Sequence, residues 1–178
     1  ALMLILGKSA HRLSIDIDLI CPPGTNIEDY LKSFADFGFI NLELVERKQR
    51  DDADIPKSHS KFFYQIAYRN DTDAQSYILL DVLYEDIHYF RTQQIAIDCP
   101  FIRLEGKPLM VTVPSAEDIL GDKLTAFAPN TTGIPYYKNG RSCSMEIAKQ
   151  LYDVGRLFEN VSDLQITKEA FRKIAVVE

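Results

Sequence analysis

Hydrophobic and polar positions alternate along parts of this chain and recur every third or fourth place along others. "SIDIDLIC" (14–21) alternates strictly. It predicts a strand with Ile15, Ile17 and Leu19 on a core-facing side and Asp16 and Asp18 on the other. "SYILLDVLY" (76–84) is apolar on both faces, the signature of a central strand. Tyr77, Leu79, Asp81 and Leu83 share one of those faces. "INLELVERK" and "KFFYQIAYR" predict further strands, and "QQIAID", "FIRLE" and "LMVTV" shorter ones, with "NDTD" and "GKP" as turns.

Helical spacing appears in other segments. "ALMLILG" predicts the end of a helix stopped by Gly7. Pro22, Pro23 and Gly24 break the first strand. Thr25 and Glu28 then have capping-box spacing and open a helix through "IEDYLKSFADF", closed by Gly38. Ser115 and Asp118 cap a helix reaching about Ala126. A second helix is expected from Ser144 to Phe158, and a third from Thr167. The chain is therefore read as α+β: a sheet-rich part over residues 1–113, a run of antiparallel pairings that leaves the first strand's place open, and a helical part over 114–178.

Composition narrows the class. The chain has 178 residues, 46% of them hydrophobic, which suits one globular domain with at most a small appendage. A net charge of −6 argues against coating nucleic acid through the bulk field, so any such contact must be local. Cys21, Cys99 and Cys143 lack metal-type spacing and suit free thiols in a reducing cytoplasm. No apolar run approaches the roughly 20 residues that span a bilayer. The absence of an initiator Met, with an opening in mid-helix style, leads us to expect a fragment of a longer protein.

Three acids and one lysine stand out. Asp16 and Asp18 project from one strand face with Cα atoms roughly 7 Å apart. Taken alone, they fit a solvated edge strand. Asp81, on a strand apolar on both sides, needs a partner, because burying an unpaired charge costs several kcal/mol. Two partners fit: a neighbouring arginine or lysine, or a cation shared with Asp16 and Asp18. Three carboxylates on adjacent strands form a hard oxygen site suited to Mg²⁺. Lys123 falls inside the apolar arc Ala116, Ile119, Leu120, Leu124 and Phe127. It either snorkels at the core edge or reaches into a cleft to hold a phosphate. Asp153 lies off the arc Ile147, Leu151, Val154 and Phe158, four residues after Lys149, and is read as a solvent-side ion pair. His11, His59 and His88 are scattered, and no dinucleotide or Walker pattern occurs. Tyr136, Tyr137, Lys138 and Arg141 mix rings with positive charge in one loop. Base stacking and simple solvation both fit that loop.

Together these stretches resemble the AbiEii-type nucleotidyltransferase toxin family. The residues are "HRLSIDIDL" (Arg12, Ser14, Asp16, Asp18), Asp81 in "LLDVLY", "AEDILGDKLTAF" (Asp118, Lys123) and "KQLYDVGRLF" (Asp153). They run in order over essentially the whole chain. The family's Gly-rich phosphate-binding turn would lie upstream of Ala1. Gln150 stands where the family's last motif has its first Asp.

The resemblance implies a nucleotidyltransferase-like fold, a mixed β-sheet with flanking helices and a C-terminal helical part, and a bacterial toxin–antitoxin or phage-defence setting. It implies transfer of a nucleotide from an NTP to an acceptor hydroxyl, on tRNA in some members. Asp16, Asp18 and Asp81 would hold Mg²⁺ or Mn²⁺ and serve catalysis with Lys123. Arg12, Ser14, Lys123 and Asp153 would bind the nucleotide. A separately encoded antitoxin would be the partner, in the cytoplasm with no membrane involved. The competing readings are a non-catalytic binding protein of the same fold and a kinase-like phosphotransferase.

Overall fold

The structure is a computed structural model. It describes residues 1–7, 12, 14, 16–31, 39–46, 59–66, 76–101, 103–129 and 133–177, with backbone alone for 39–46, 59–66, 76–77 and 177. The chain folds as two units, Ser14–Ile87, and Ala1–Leu13 together with His88–Glu178. The boundary expected at 113/114 falls inside the second of these.

The Ser14–Ile87 unit is built on a sheet of order β1-β4-β3-β2: β1 (Asp16–Cys21), β2 (Phe39–Glu46), β3 (His59–Ile66) and β4 (Ser76–Tyr84). β1 runs parallel to β4, and the other pairs are antiparallel, so the sheet is mixed as expected. β4 lies between β1 and β3, which explains why both its faces are apolar. Leu80 and Val82 are buried against Ile27 and Leu31 at α2 (Glu28–Leu31), with Cys21, Ile78 and Tyr84 packed around them.

Two expectations are corrected here. Ile17 and Leu19 are register partners of Leu80 and Val82, yet both are exposed. β1 is an edge strand with a neighbour on one side only, and the buried cluster centres on β4. Thr25 does not cap α2. Its hydroxyl donates to the Pro22 carbonyl at 2.7 Å, and Asn26 reaches Asp29 instead. A threonine just after a Pro-Pro-Gly turn finds its nearest acceptor behind it. The rest of that expected helix (32–38), Ile15, His11 and the polar segments 49–58 and 67–75 lie outside the described residues.

The other unit starts with α1 (Leu2–Leu6), ended by Gly7 as expected. β5 (Thr92–Ala96) and β6 (Met110–Pro114) pair antiparallel. "FIRLE" forms no strand among its described residues. It belongs to the connection, whose closing bond runs from Ile97 N–H to the Leu109 carbonyl at 2.7 Å.

α3 (Ala116–Thr125) is the hub of this unit. Ser115 Oγ accepts from the Asp118 N–H at 3.1 Å, the predicted N-cap. Ile119 and Leu120 are buried against Leu157 of α4 (Ser144–Phe158), with Leu2 and Ile5 of α1 alongside. α5 (Leu164–Val177) packs on the same helix and buries Ile166, Ala170 and Ile174. The approach is so close that a Cβ on Gly121 would stand 2.7 Å from both the Ala170 Cβ and the Thr167 carbonyl oxygen. α5 begins three residues before the expected Thr167, which is buried within its first turns. No helix among the described residues is long and apolar enough to cross a membrane.

α4 spans the expected residues but turns a different face inward. Asp153 and Leu157 are buried, whereas Leu151 and Phe158 are exposed. The apolar arc read from sequence is thus displaced around the helix, because a carboxylate sits in the middle of the true buried face.

Candidate functional site

The acid pair and its partner occupy the Ser14–Ile87 unit. β1 and β4 pair with Asp18 directly opposite Asp81 and Asp16 opposite Leu79. Side chains two apart on a strand share a face, and register partners on adjacent strands share it too. Asp16, Asp18 and Asp81 therefore stand on one side of the sheet, with the Cα atoms of Asp18 and Asp81 about 4.8 Å apart by strand spacing. Asp18 is exposed, and Asp16 and Asp81 are half-buried. Ser14 Oγ donates to the Asp16 Oδ1, so the one hydroxyl assigned to nucleotide binding holds a member of the acid group. In β3, Lys61 occupies the register position opposite Asp81 on its other side.

The chemistry of this donor set fits a hard divalent cation, since carboxylate oxygens are its preferred ligands. Among the described residues, no three His, Cys, Asp or Glu side chains are grouped to hold a metal ion.

The second group belongs to the other unit. The Arg12 guanidinium forks onto Asp153, with Nε to Oδ1 at 2.7 Å and Nη2 to Oδ2 at 2.5 Å. Lys123 Nζ lies 3.1 Å from the same Oδ2 and donates to Gln150 Oε1 at 2.9 Å. The Asp153 side chain is 1% exposed, against 23% for Arg12 and 20% for Lys123. Asp153 is therefore no solvent-side partner of Lys149, and that expectation is corrected. A carboxylate inside a helix interface is tolerated here because a bidentate fork and a second cation offset its lost hydration.

Burial pushes the Asp153 carboxyl up. The Arg12 hydrogen bonds and the charges of Lys123 and Arg12 outweigh that effect and bring it below the ordinary carboxylate value. Lys123 is likewise neither a free snorkelling tip nor an unencumbered phosphate ligand. Two cations share one carboxylate, which leaves this group one positive charge in excess. Gln150 supplies Lys123 with an acceptor that carries no charge.

Sequence reasoning missed how α3 is held, although its acids were in plain view. Asp118 is fully buried and accepts from the Phe90 and Arg91 N–H groups at 2.7 and 3.0 Å, and from Ser115 Oγ at 2.7 Å. Glu117 Oε1 accepts from the Ser162 N–H and hydroxyl at 3.0 and 3.1 Å. Tyr89 donates to Asp122 at 2.8 Å. These carboxylates staple the segment before β5 and the α4–α5 turn to the helix that carries Lys123. The one available signal was three acids in the first two turns of a helix that also carries an apolar arc. The three cysteines are free thiols, and burial raises that of Cys21.

A mixed α+β sheet whose parallel strand pair carries the acids, combined with a helical part, is a nucleotidyltransferase-like architecture. The family model for the nucleotidyl transferase AbiEii toxin of type IV toxin–antitoxin systems matches residues 1–177. The chain belongs to this family of nucleotidyl transferase toxins, and an antitoxin is the counterpart that such a system implies. No curated protein matches the chain.

Proposed function

We propose that this protein transfers a nucleotide from an NTP to an acceptor hydroxyl of RNA, such as tRNA, as the toxin whose activity a cognate antitoxin restrains. The observation that carries this reading is the register of Asp18 with Asp81, with Asp16 on the same sheet face. Three carboxylates on one face of an edge strand and its central neighbour offer hard oxygen ligands. Such a face suits a function that brings positive charge to it.

Asp16, Asp18 and Asp81 would hold Mg²⁺ or Mn²⁺, which when bound supplies charge neutralisation at the phosphate oxygens. The chain's own groups do the rest. An Asp81 carboxylate oxygen takes the proton of the acceptor hydroxyl. The hydroxyl oxygen of the acceptor, freed of its proton, then bonds to the α-phosphorus, and the bond to pyrophosphate breaks with its electron pair leaving on pyrophosphate. On its own unit, Lys123 is the cation offered to a phosphate, in a group with one positive charge in excess. Asp153 is a positioning residue, aiming Lys123 through their ion pair, with Arg12 bracing it from the other side. Ser14 orients Asp16.

The test is transfer of label from an α-labelled NTP to RNA with Mg²⁺ present. Asp81→Asn is expected to abolish transfer and leave the melting temperature unchanged. Transfer undiminished in that variant ends the assignment. A γ-labelled NTP that passes its label on would favour the kinase-like reading. One observation favours a non-catalytic binding role, namely that no three His, Cys, Asp or Glu side chains among the described residues are grouped to hold a metal ion. Calorimetry showing no binding of NTP with Mg²⁺ would decide for it.

A further inference from the structure

We propose that the hairpin joining α3 to α4 is a docking element for single-stranded RNA. It comprises β7 (Tyr137–Lys138) and β8 (Arg141–Ser142). Its choice of RNA over other polyanions rests on the nucleotide-transfer reading, but the observations behind it are separate.

The hairpin is stiffly built. Asn139 and Gly140 both have positive φ, 52° and 77°, the two-residue turn that matches strand twist. Cys143 N–H donates to the Tyr136 carbonyl at 2.9 Å, continuing the ladder to the start of α4. At the other root, Ile134 N–H donates to the Ala126 carbonyl at 2.9 Å, just beyond α3. The tip is thus tied to the two helices that carry Lys123 and Asp153.

What it presents is costly to leave bare. Lys138 and Arg141 are register partners, and like charges directly opposite on paired strands are destabilising. Neither has an ion-pair partner among the described residues. Strand alternation puts Tyr136 on their face, about 7 Å along, and Tyr137 on the opposite one. The two tyrosines are 67% and 71% exposed. Two bare cations beside an open ring match a phosphate next to an unstacked base. A protein partner with an apolar face would instead be met by contiguous apolar surface. Single strands are held by this combination, since every base has a face to stack and every linkage a charge. It also reconciles a net charge of −6 with nucleic-acid contact, because the positive charge is local.

The experiment uses the full chain and a fluorescein-labelled single-stranded RNA oligonucleotide, with anisotropy read across a salt series. The double variant K138E/R141E is expected to bind at least tenfold more weakly and to flatten the salt slope by about 1.4, the contribution of two phosphates on a single strand. Tyr136→Ala is expected to weaken binding about tenfold with the salt slope unaltered, and Tyr136→Phe to restore it. If the charge-reversed variant fails to fold, the tyrosine variants decide.

Equal binding by all variants, or no binding by the unmutated protein, overturns the proposal. So does equal displacement of the RNA by polyglutamate of matched charge, which would mark an acidic-peptide surface. Nucleotide transfer is scored separately on the unmutated protein. Hairpin-dependent binding without transfer leaves the docking element standing and removes the enzymatic reading. Transfer to RNA that is indifferent to every hairpin variant removes the docking element alone.

Discussion

Asp18 and Asp81 face each other across the parallel β1–β4 pair, one on the sheet's edge and one at its centre. Two like charges at directly opposed positions destabilise a sheet by a fraction of a kcal/mol. Asp18→Asn should therefore be about 0.5 kcal/mol more favourable in the otherwise unchanged chain than beside Asp81→Asn, at low ionic strength with chelator present. The difference should fade in 1 M salt, where the screening length is about 3 Å. Urea titrations at both salt concentrations check this. An equal effect of Asp18→Asn in both backgrounds would mean that the two carboxylates are not in repulsion.

The buried carboxylate of α4 predicts the opposite sign. Asp153→Ala removes the carboxylate that Arg12 and Lys123 share beside an apolar interface. The cost of breaking a buried pair is about 3–5 kcal/mol, reduced here to roughly 2–4 because both cations reach some solvent. Lys123→Ala leaves Asp153 with the Arg12 fork, so its cost should be smaller, about 1–2 kcal/mol. Chemical denaturation of both variants should rank them in that order.

Acid should unfold the protein through the same carboxylates. Asp153 and Glu117 both sit below their ordinary values, 3.8 and 4.5. For each, burial acts upward and is outweighed, by Arg12 and Lys123 for Asp153 and by the Ser162 hydrogen bonds for Glu117. A depressed carboxyl contributes stability that is present above the unfolded-state value and is lost as pH falls through the folded one. Stability should therefore hold near neutrality and fall below about pH 4. Asp153→Asn should show a shallower decline over that window, as followed by circular dichroism at fixed urea.

Gly121 is where α3 and α5 touch. A Cβ there would meet the Thr167 carbonyl oxygen at 2.7 Å and the Phe171 nitrogen at 2.8 Å, backbone atoms that cannot swing aside. Alanine at an exposed helix position would gain about 1 kcal/mol over glycine. Gly121→Ala should instead lose about 2–3 kcal/mol by forcing the helices apart. A higher melting temperature in this variant would contradict the close approach.

Much of this was legible in the chain. Strict alternation placed Asp16 and Asp18 on one strand face, and the two-sided apolar pattern of residues 76–84 gave β4 its central position. Ser115 and the ends of α4 followed from capping and period. What escaped has a common physical origin. Periodicity scores side chains one at a time, so a buried face containing Gln150 and Asp153 looked polar, and the exposed Leu151 and Phe158 were placed inside instead. The partner that makes Asp153 tolerable, Arg12, lies 141 residues away and leaves no local trace. Gly121 likewise shows nothing in the chain except a glycine in a helix, and only the neighbouring α5 gives it meaning.

α1 belongs with helices that follow it by more than a hundred positions, while Ser14–Ile87 is interposed as a complete unit. On the ribosome, the interposed segment can finish its own pairing before α3 has been made. Leu2 and Ile5 must wait for Leu120 to emerge, and closing that long loop is entropically slow. The acid-bearing sheet should thus mature first during synthesis, and the Arg12 fork onto Asp153 should be among the last links to form.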